Sequence, residues 1–310
     1  MVFFKQLRFV LAGLLVVLFG AALLPANADN KIALVVGNQD YPDLGDLPYA
    51  QINAQQLVDA LSEVGFTGPD VDEPLRPSVD LTLDSLADQF YEFSEALQSS
   101  PEGTVGFVYF AGHGIAKERR GDVYLLATDS ELRPGVDLDK VGIPVADVVE
   151  LLRESSGRTI ILVIDACRNV VPEQFLSTPA ADTRSGATSG DLVVGGGWGD
   201  GPDKKVGLLK RGFQRDDGVF TEDRADYFVA FSTSPGRVAY DTDIFSSTLA
   251  DEISAGKHDL FTLFKTVGER VAVETRSSGD LQLPTFEVGV YGTPPCFGSC
   301  RSSRAIDDTF

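Results

Sequence analysis

Three short apolar runs each end at a polar or glycine-rich turn, and this recurrence constrains the fold more than any other feature. The runs cover residues 32–37, 105–110 and 159–164. They lead into Gly37-Asn38, Ala111-Gly112-His113-Gly114 and Asp165-Ala166-Cys167. Runs so short and so uniformly apolar fit strands buried on both faces. Between them, apolar residues recur at helical spacing: Ala54, Leu57, Val58 and Leu61 within 50–64, and Leu83, Leu86, Phe90 and Phe93 within 79–97. A further helical stretch covers 145–152. Residues 123–127 form a shorter candidate strand and 227–231 another. Residues 245–253 and 260–273 have helical spacing, and 285–288 fits an edge strand. Strands alternating with amphipathic helices predict an α/β fold with a mainly parallel central sheet covered on both faces. In such sheets, ligands bind beyond the carboxyl ends of the strands, where the three turns lie.

The first 28 residues have the pattern of an export signal. Lys5 and Arg8 precede an apolar run over 9–24, and Pro25-Ala26-Asn27-Ala28 supplies an Ala-x-Ala site. Cleavage is expected after Ala28. The run of about 16 residues falls short of the roughly 20 that a spanning helix needs; an uncleaved anchor is the alternative. No other segment is long and apolar enough to span a membrane. The mature chain is therefore expected to be exported, periplasmic or secreted. The sequence carries 46 acidic against 26 basic residues, a net charge of −20, and the leader takes two more basic residues with it. This balance argues against nucleic-acid or anionic-membrane partners and leaves room for cationic substrates. An apolar content of 43% excludes a disordered chain.

Two His and three Cys give little material for an imidazole–thiolate metal site, and no cofactor is expected. Cys296 and Cys300 lie close together in Cys-Phe-Gly-Ser-Cys, and an oxidising compartment favours a local disulfide; two thiols in a loose tail are the alternative. Cys167 is then the odd thiol out. His258 lies between two helical segments and reads as a surface or capping residue. His113 is different. It follows a buried strand between two glycines, whose freedom of bend would leave the imidazole uncovered. Cys167 follows another buried strand in the same way. If those strands are parallel neighbours, both residues share one rim of the sheet. A cysteine needs a nearby base to act as nucleophile at neutral pH, and His113 meets that need. It would also protonate a leaving amine, and the Gly114 and Cys167 amides would stabilise an oxyanion. A buried structural Cys and a loop His are the alternative reading.

The motifs themselves resemble the caspase-like cysteine peptidases, the group that holds caspases, metacaspases and bacterial relatives. The resemblance rests on Lys31-Ile-Ala-Leu-Val-Val-Gly-Asn38, on Phe107-Val-Tyr-Phe-Ala-Gly-His-Gly114 and on Ile161-Leu-Val-Ile-Asp-Ala-Cys-Arg-Asn169. Tyr124-Leu-Leu-Ala-Thr-Asp129 and Ala230-Phe-Ser-Thr-Ser-Pro-Gly236 add to it. His113 and Cys167 are 54 residues apart, near the roughly 50 of caspases. The local Cys motif is similar to that of the bacterial branch. The resemblance implies a caspase-like fold over 29–291, a catalytic dyad of His113 and Cys167, and a thiol endopeptidase activity. It also implies a monomer, because the metacaspase-like branch is typically monomeric while caspases proper dimerise through an edge strand.

Metacaspase-like members carry an acidic S1 pocket for Arg or Lys. The Asp two residues before the nucleophile corresponds to Asp165, although capping its loop is an alternative role. The second pocket Asp, from an Asn-Asp-Ala motif, is replaced here by Asn53 in Gln51-Ile52-Asn53-Ala54. An amide oxygen accepts a hydrogen bond from a guanidinium but adds no ion pair. A peptide or protein substrate with a basic P1 residue is expected. Arg168, beside the nucleophile, has no feature aiming it into the pocket. Many metacaspases bind calcium, and Asp129, Asp137 and Asp139 lie in about the corresponding region. Gln174 stands where a further Asp would be wanted, and no metal is predicted.

Residues 171–226 show little periodicity and form a long processing or specificity loop in this reading. Such enzymes are often cut between the Cys and the later strands. Arg184, Lys204, Lys205, Lys210, Arg211, Arg215 and Arg224 are candidate self-cleavage positions; an ordinary charged surface loop is the alternative. Trp198, the only Trp, lies in a glycine-rich run that lacks the Gly-Lys-Ser/Thr ending of a phosphate loop. It either covers the cleft or docks on the core. Residues 292–310 form a C-terminal tail with the Cys296–Cys300 pair. Two other functional readings compete with the peptidase. One is a catalytically silent caspase-fold module that binds a partner or peptide. The other is a cofactor-binding α/β protein, which leaves His113 and Cys167 unexplained.

Overall fold

The computed structural model describes residues 30–70, 73–117, 122–168, 224–237, 239, 242–278 and 281–300. The leader, Gln174, Trp198 and the candidate cleavage positions from Arg184 to Arg215 lie outside the described residues.

A six-stranded sheet organises the chain. Its order is β2 (Pro77–Val79), β1 (Lys31–Gly37), β3 (Val105–Ala111), β7 (Thr159–Asp165), β8 (Asp226–Phe231) and β9 (Thr285–Gly289). All neighbours run parallel except β8 and β9. Alternate residues of each strand face opposite layers. Ala33, Val35, Phe107, Tyr109, Ile161, Val163, Phe228 and Ala230 pack under α1 (Ala50–Glu63), α4 (Ile244–Ala255) and α5 (Leu260–Ser278). Ile32, Leu34, Val36, Val108, Phe110, Leu162, Ile164 and Val229 pack under α2 (Leu83–Ser99) and α3 (Val145–Arg153). Two apolar layers explain why the central strands are apolar without alternation.

Two differences from the sequence reading have simple causes. The segment expected to be helical from residue 79 gives its first turn to an edge: Pro77–Val79 is β2, beside β1, and α2 starts only at Leu83. Pro is tolerated on an edge because no ladder partner needs its missing N–H. Thr82 caps the helix by accepting from Ser85 N. Residues 123–126 do form a strand, β5, but outside the central sheet. They pair antiparallel with β4 (Gly114–Ala116) and β6 (Gly142–Pro144). Strands of three residues are too short to leave a periodic signal.

The C-terminal residues to Cys300 close the α1/α4/α5 layer. Phe297 is buried against Phe66 and Phe107. Its loop is bonded in by Leu260 N to Pro295 O, Phe297 N to His258 O and Ser299 N to Gly256 O. Cys296 and Cys300 form a disulfide, with Cα atoms 5.9 Å apart.

Candidate active site

The ladder between β3 and β7 pairs Ala111 with Asp165. Gly112 N donates to Asp165 O at 3.3 Å and carries the pairing one residue further. His113 and Cys167 therefore stand two residues beyond the same rung, on adjacent parallel strands. Both line one cleft of about 230 Å³, together with Leu47, Ala50, Asn53, Asp165, Ala239 and Thr242. The structure thus brings together His113, Cys167, Asp165 and Asn53, which the sequence places far apart.

The glycines around His113 have a different role from the one expected. Neither Gly112 nor Gly114 has a positive φ. Close approach is what excludes a side chain. A Cβ on Gly112 would lie 2.5 Å from Tyr41 Oη, and one on Gly114 would lie 2.7 Å from Cys167 O and 2.8 Å from Ala166 Cβ. Gly114→Ala is therefore expected to push the nucleophile loop away. Overpacking of this kind costs about 1–3 kcal/mol. A lower thermal midpoint and a changed rate of Cys167 alkylation should accompany it; wild-type values for both would show that the contact yields.

His113 is held by residues that the sequence reading did not single out. Its Nε2 lies 2.8 Å from Gly45 O. When Nε2 carries the proton it donates to that carbonyl, and Nδ1 is left as the acceptor. Tyr41 Oη accepts from His113 N at 3.1 Å and donates to Leu126 O at 2.9 Å. The Tyr41 ring meets the imidazole edge-on, with centroids 4.5 Å apart. Burial pushes the Tyr41 phenol well up, so it stays neutral. The loop carrying Tyr41 and Gly45 is tied down in turn. Asp80 Oδ1 accepts from Gln39 N and Asp40 N, and Asp46 Oδ1 accepts from Tyr41 N.

Cys167 is half-buried, and its thiol donates to Ala239 O at 3.2 Å. In the cleft, Asp165 Oδ2 accepts from the Tyr109 hydroxyl at 3.0 Å. Asn53 Nδ2 donates to Thr242 O at 3.1 Å, while its buried Oδ1 has no hydrogen-bond partner among the described residues. Arg168 does not line the cleft. Its guanidinium stacks 3.8 Å over the Phe231 ring and donates to Thr285 Oγ1. Its main chain pairs with Gly236 N and Arg237 O. Arg168 thus fastens the nucleophile loop to the segment after β8.

The remaining candidates lie elsewhere. Asp129 Oδ1 accepts from Leu83 N, Asp137 pairs with Lys140, and Asp139 accepts from the Tyr124 hydroxyl. Among the described residues, no three carboxylate, imidazole or thiol groups are placed to hold a metal. Arg224 is ion-paired with Glu150 just before β8. His258 pairs with Glu252, and its carbonyl receives Phe297 N.

Comparison with known proteins places this arrangement. The family model for the caspase domain of peptidase C14 matches residues 30–291, and the chain belongs to that family. It is 24% identical over 141 residues to the human mucosa-associated lymphoid tissue lymphoma translocation protein 1. That match covers 46% of this chain but only 15% of the human protein's length. The fold is similar to the crystal structure of caspase-1 from Spodoptera frugiperda, with a TM-score of 0.57 and 15% identity. That likeness covers 89% of this chain and 93% of that one. Membership supports a cysteine peptidase in general.

Proposed function

We propose that the protein is an exported cysteine endopeptidase that cuts after Arg or Lys, with His113 and Cys167 as its dyad. The observation that carries this reading is the pair's placement two residues beyond one rung of the β3–β7 ladder, in a cleft that also holds Asp165. His113 Nδ1 takes the thiol proton, and Cys167 Sγ bonds to the scissile carbonyl carbon. The developing oxyanion is met by the amides of Gly114 and Cys167. Just ahead of β4, His113 O accepts from Leu126 N while His113 N turns to Tyr41 Oη. Gly114, one residue on, is in an unbonded rung of the β4–β5 ladder, and its N–H points away from β5. The carbon–nitrogen bond then breaks, the imidazolium protonates the leaving amine, and water releases the thioester. Asp165 faces the P1 cation, and Asn53 Oδ1 adds an acceptor without charge. No metal or cofactor enters the scheme.

Peptides differing only at P1 test it. Arg and Lys substrates are expected to exceed Ala, Asp and Gln substrates by at least tenfold in kcat/KM. Equal turnover at every P1 would remove the pocket assignment. A silent binding module is the second reading, favoured by the thiol's hydrogen bond to Ala239 O, in which the sulfur acts as donor. Tight binding of these peptides without any turnover would select it. Self-cutting within 178–226 belongs to the same proposal and would be seen in the intact mass. Arg224 must leave Glu150 before it could serve as a cut site.

A further inference from the structure

Tyr109 is completely buried in the middle of β3, on the face covered by α1 and α4. A Phe there would fill the same space, so its hydroxyl is what needs explaining. That hydroxyl donates to Asp165 Oδ2 at 3.0 Å. The buried Ser246 hydroxyl of α4 contacts the same phenolic oxygen. Burial, with Asp165 beside it, holds the phenol well above its usual range, so Tyr109 remains a donor at working pH. Parity explains the meeting. Tyr109 pairs with Val163, and Asp165 is two residues further along β7 on the same face. Asp165 sits in the wall of the cleft, where its direction matters to a ligand. The second acceptor in that wall, Asn53 Oδ1, is buried and without a partner among the described residues.

We propose that Tyr109 is a positioning residue of the P1 pocket, holding the Asp165 carboxylate in the direction from which it meets a guanidinium beside Asn53 Oδ1. The proposal rests on the basic-P1 reading given above. With Asp165 the single carboxylate among the described residues that line the pocket, selection for a cation depends on how well that carboxylate is aimed. An ordered acceptor loses less freedom on binding than one that swings. A planar donor such as Arg gains most from a fixed direction.

The test is Tyr109→Phe in the full chain, alone and combined with Asp165→Asn. KM for an Arg-P1 peptide is expected to rise about tenfold, with kcat within twofold and the rate of Cys167 alkylation by iodoacetamide unchanged. In the Asp165→Asn background, the added Tyr109→Phe change is expected to leave KM for Arg where it was. Equal loss toward Arg and neutral P1 peptides would overturn the proposal, since it would mark a packing role. Full additivity with Asp165→Asn would overturn it as well. Should Tyr109→Phe fail to fold, wild-type kcat/KM for Arg against Lys P1 peptides is read instead, since a fixed carboxylate favours the planar donor, and equal values overturn the proposal. The two readings fail separately. A wild-type enzyme without preference for Arg sinks the pocket assignment and Tyr109's role with it. A wild-type enzyme that prefers Arg, paired with an indifferent Tyr109→Phe variant, sinks only the latter.

Discussion

Cys167→Ala is expected to lower kcat toward an Arg-P1 peptide by about 10⁴-fold or more, the scale on which removing one member of a catalytic set is felt. The sulfur supplies the bond to the scissile carbon, and no other thiol lies in the cleft. His113→Ala should cost less, about 10²–10⁴-fold, because it removes proton transfer and leaves the nucleophile. The two losses are not expected to add. Once the thiol is gone, the imidazole has nothing to activate, and the double variant should match Cys167→Ala within severalfold. Initial rates on one peptide, with circular dichroism to verify folding, decide the matter. Activity retained in Cys167→Ala would refute the dyad outright. Losses that multiply would mean that the two residues act in separate steps.

Phe297→Ala is expected to be the most destabilising single truncation near the C-terminus. The ring is 1% exposed and lies 6.1 Å from the Phe66 ring and 6.2 Å from the Phe107 ring, centroid to centroid. Emptying such a site costs about 3–5 kcal/mol, on the order of 10 °C in melting temperature for a domain of this size. The adjoining disulfide closes a very short loop, for which chain entropy gives only about 2 kcal/mol. The ring should therefore outweigh the covalent link. Thermal unfolding of Phe297→Ala, and of wild type with and without reductant, ranks them. A reductant effect larger than that of Phe297→Ala would show that the ring merely follows the clip. Phe297 lies beyond the 30–291 match to the family.

What the sequence revealed, and what it hid, follows from how far each signal reaches. Long buried strands announce themselves in six or seven residues, so β1, β3, β7 and β8 were legible, and with them the turns that carry His113 and Cys167. Asp165 and Asn53 were legible only through the motif resemblance, and the structure places both in the cleft wall. Tyr41 and Gly45 were not, because a Gly- and Asp-rich loop has no period and its grip on His113 is made across the fold. The bond from Cys167 to Ala239 is likewise a matter of tertiary approach. Gly112 and Gly114 were noticed for the wrong reason: their small size, rather than backbone freedom, is what the site requires. Phe297 looked like part of a tail because a lone aromatic between two Cys carries no pattern. Its burial depends on Phe66 and Phe107, more than 180 residues away in sequence.

The rung shared by Ala111 and Asp165 has a consequence for how such a chain can change. Neighbouring strands lie about 4.8 Å apart wherever a sheet forms. The spacing of the two reactive residues is thus gauged by backbone hydrogen bonds, which every sequence supplies. Residues 114–158, with their small antiparallel sheet and α3, hang between the two strands like a pendant whose length does not enter the measurement. Insertions or deletions in the turns of that stretch, away from Gly114 and Leu126, alter what surrounds the cleft and leave the gauge untouched. The chemistry and its surroundings are free to vary on separate clocks.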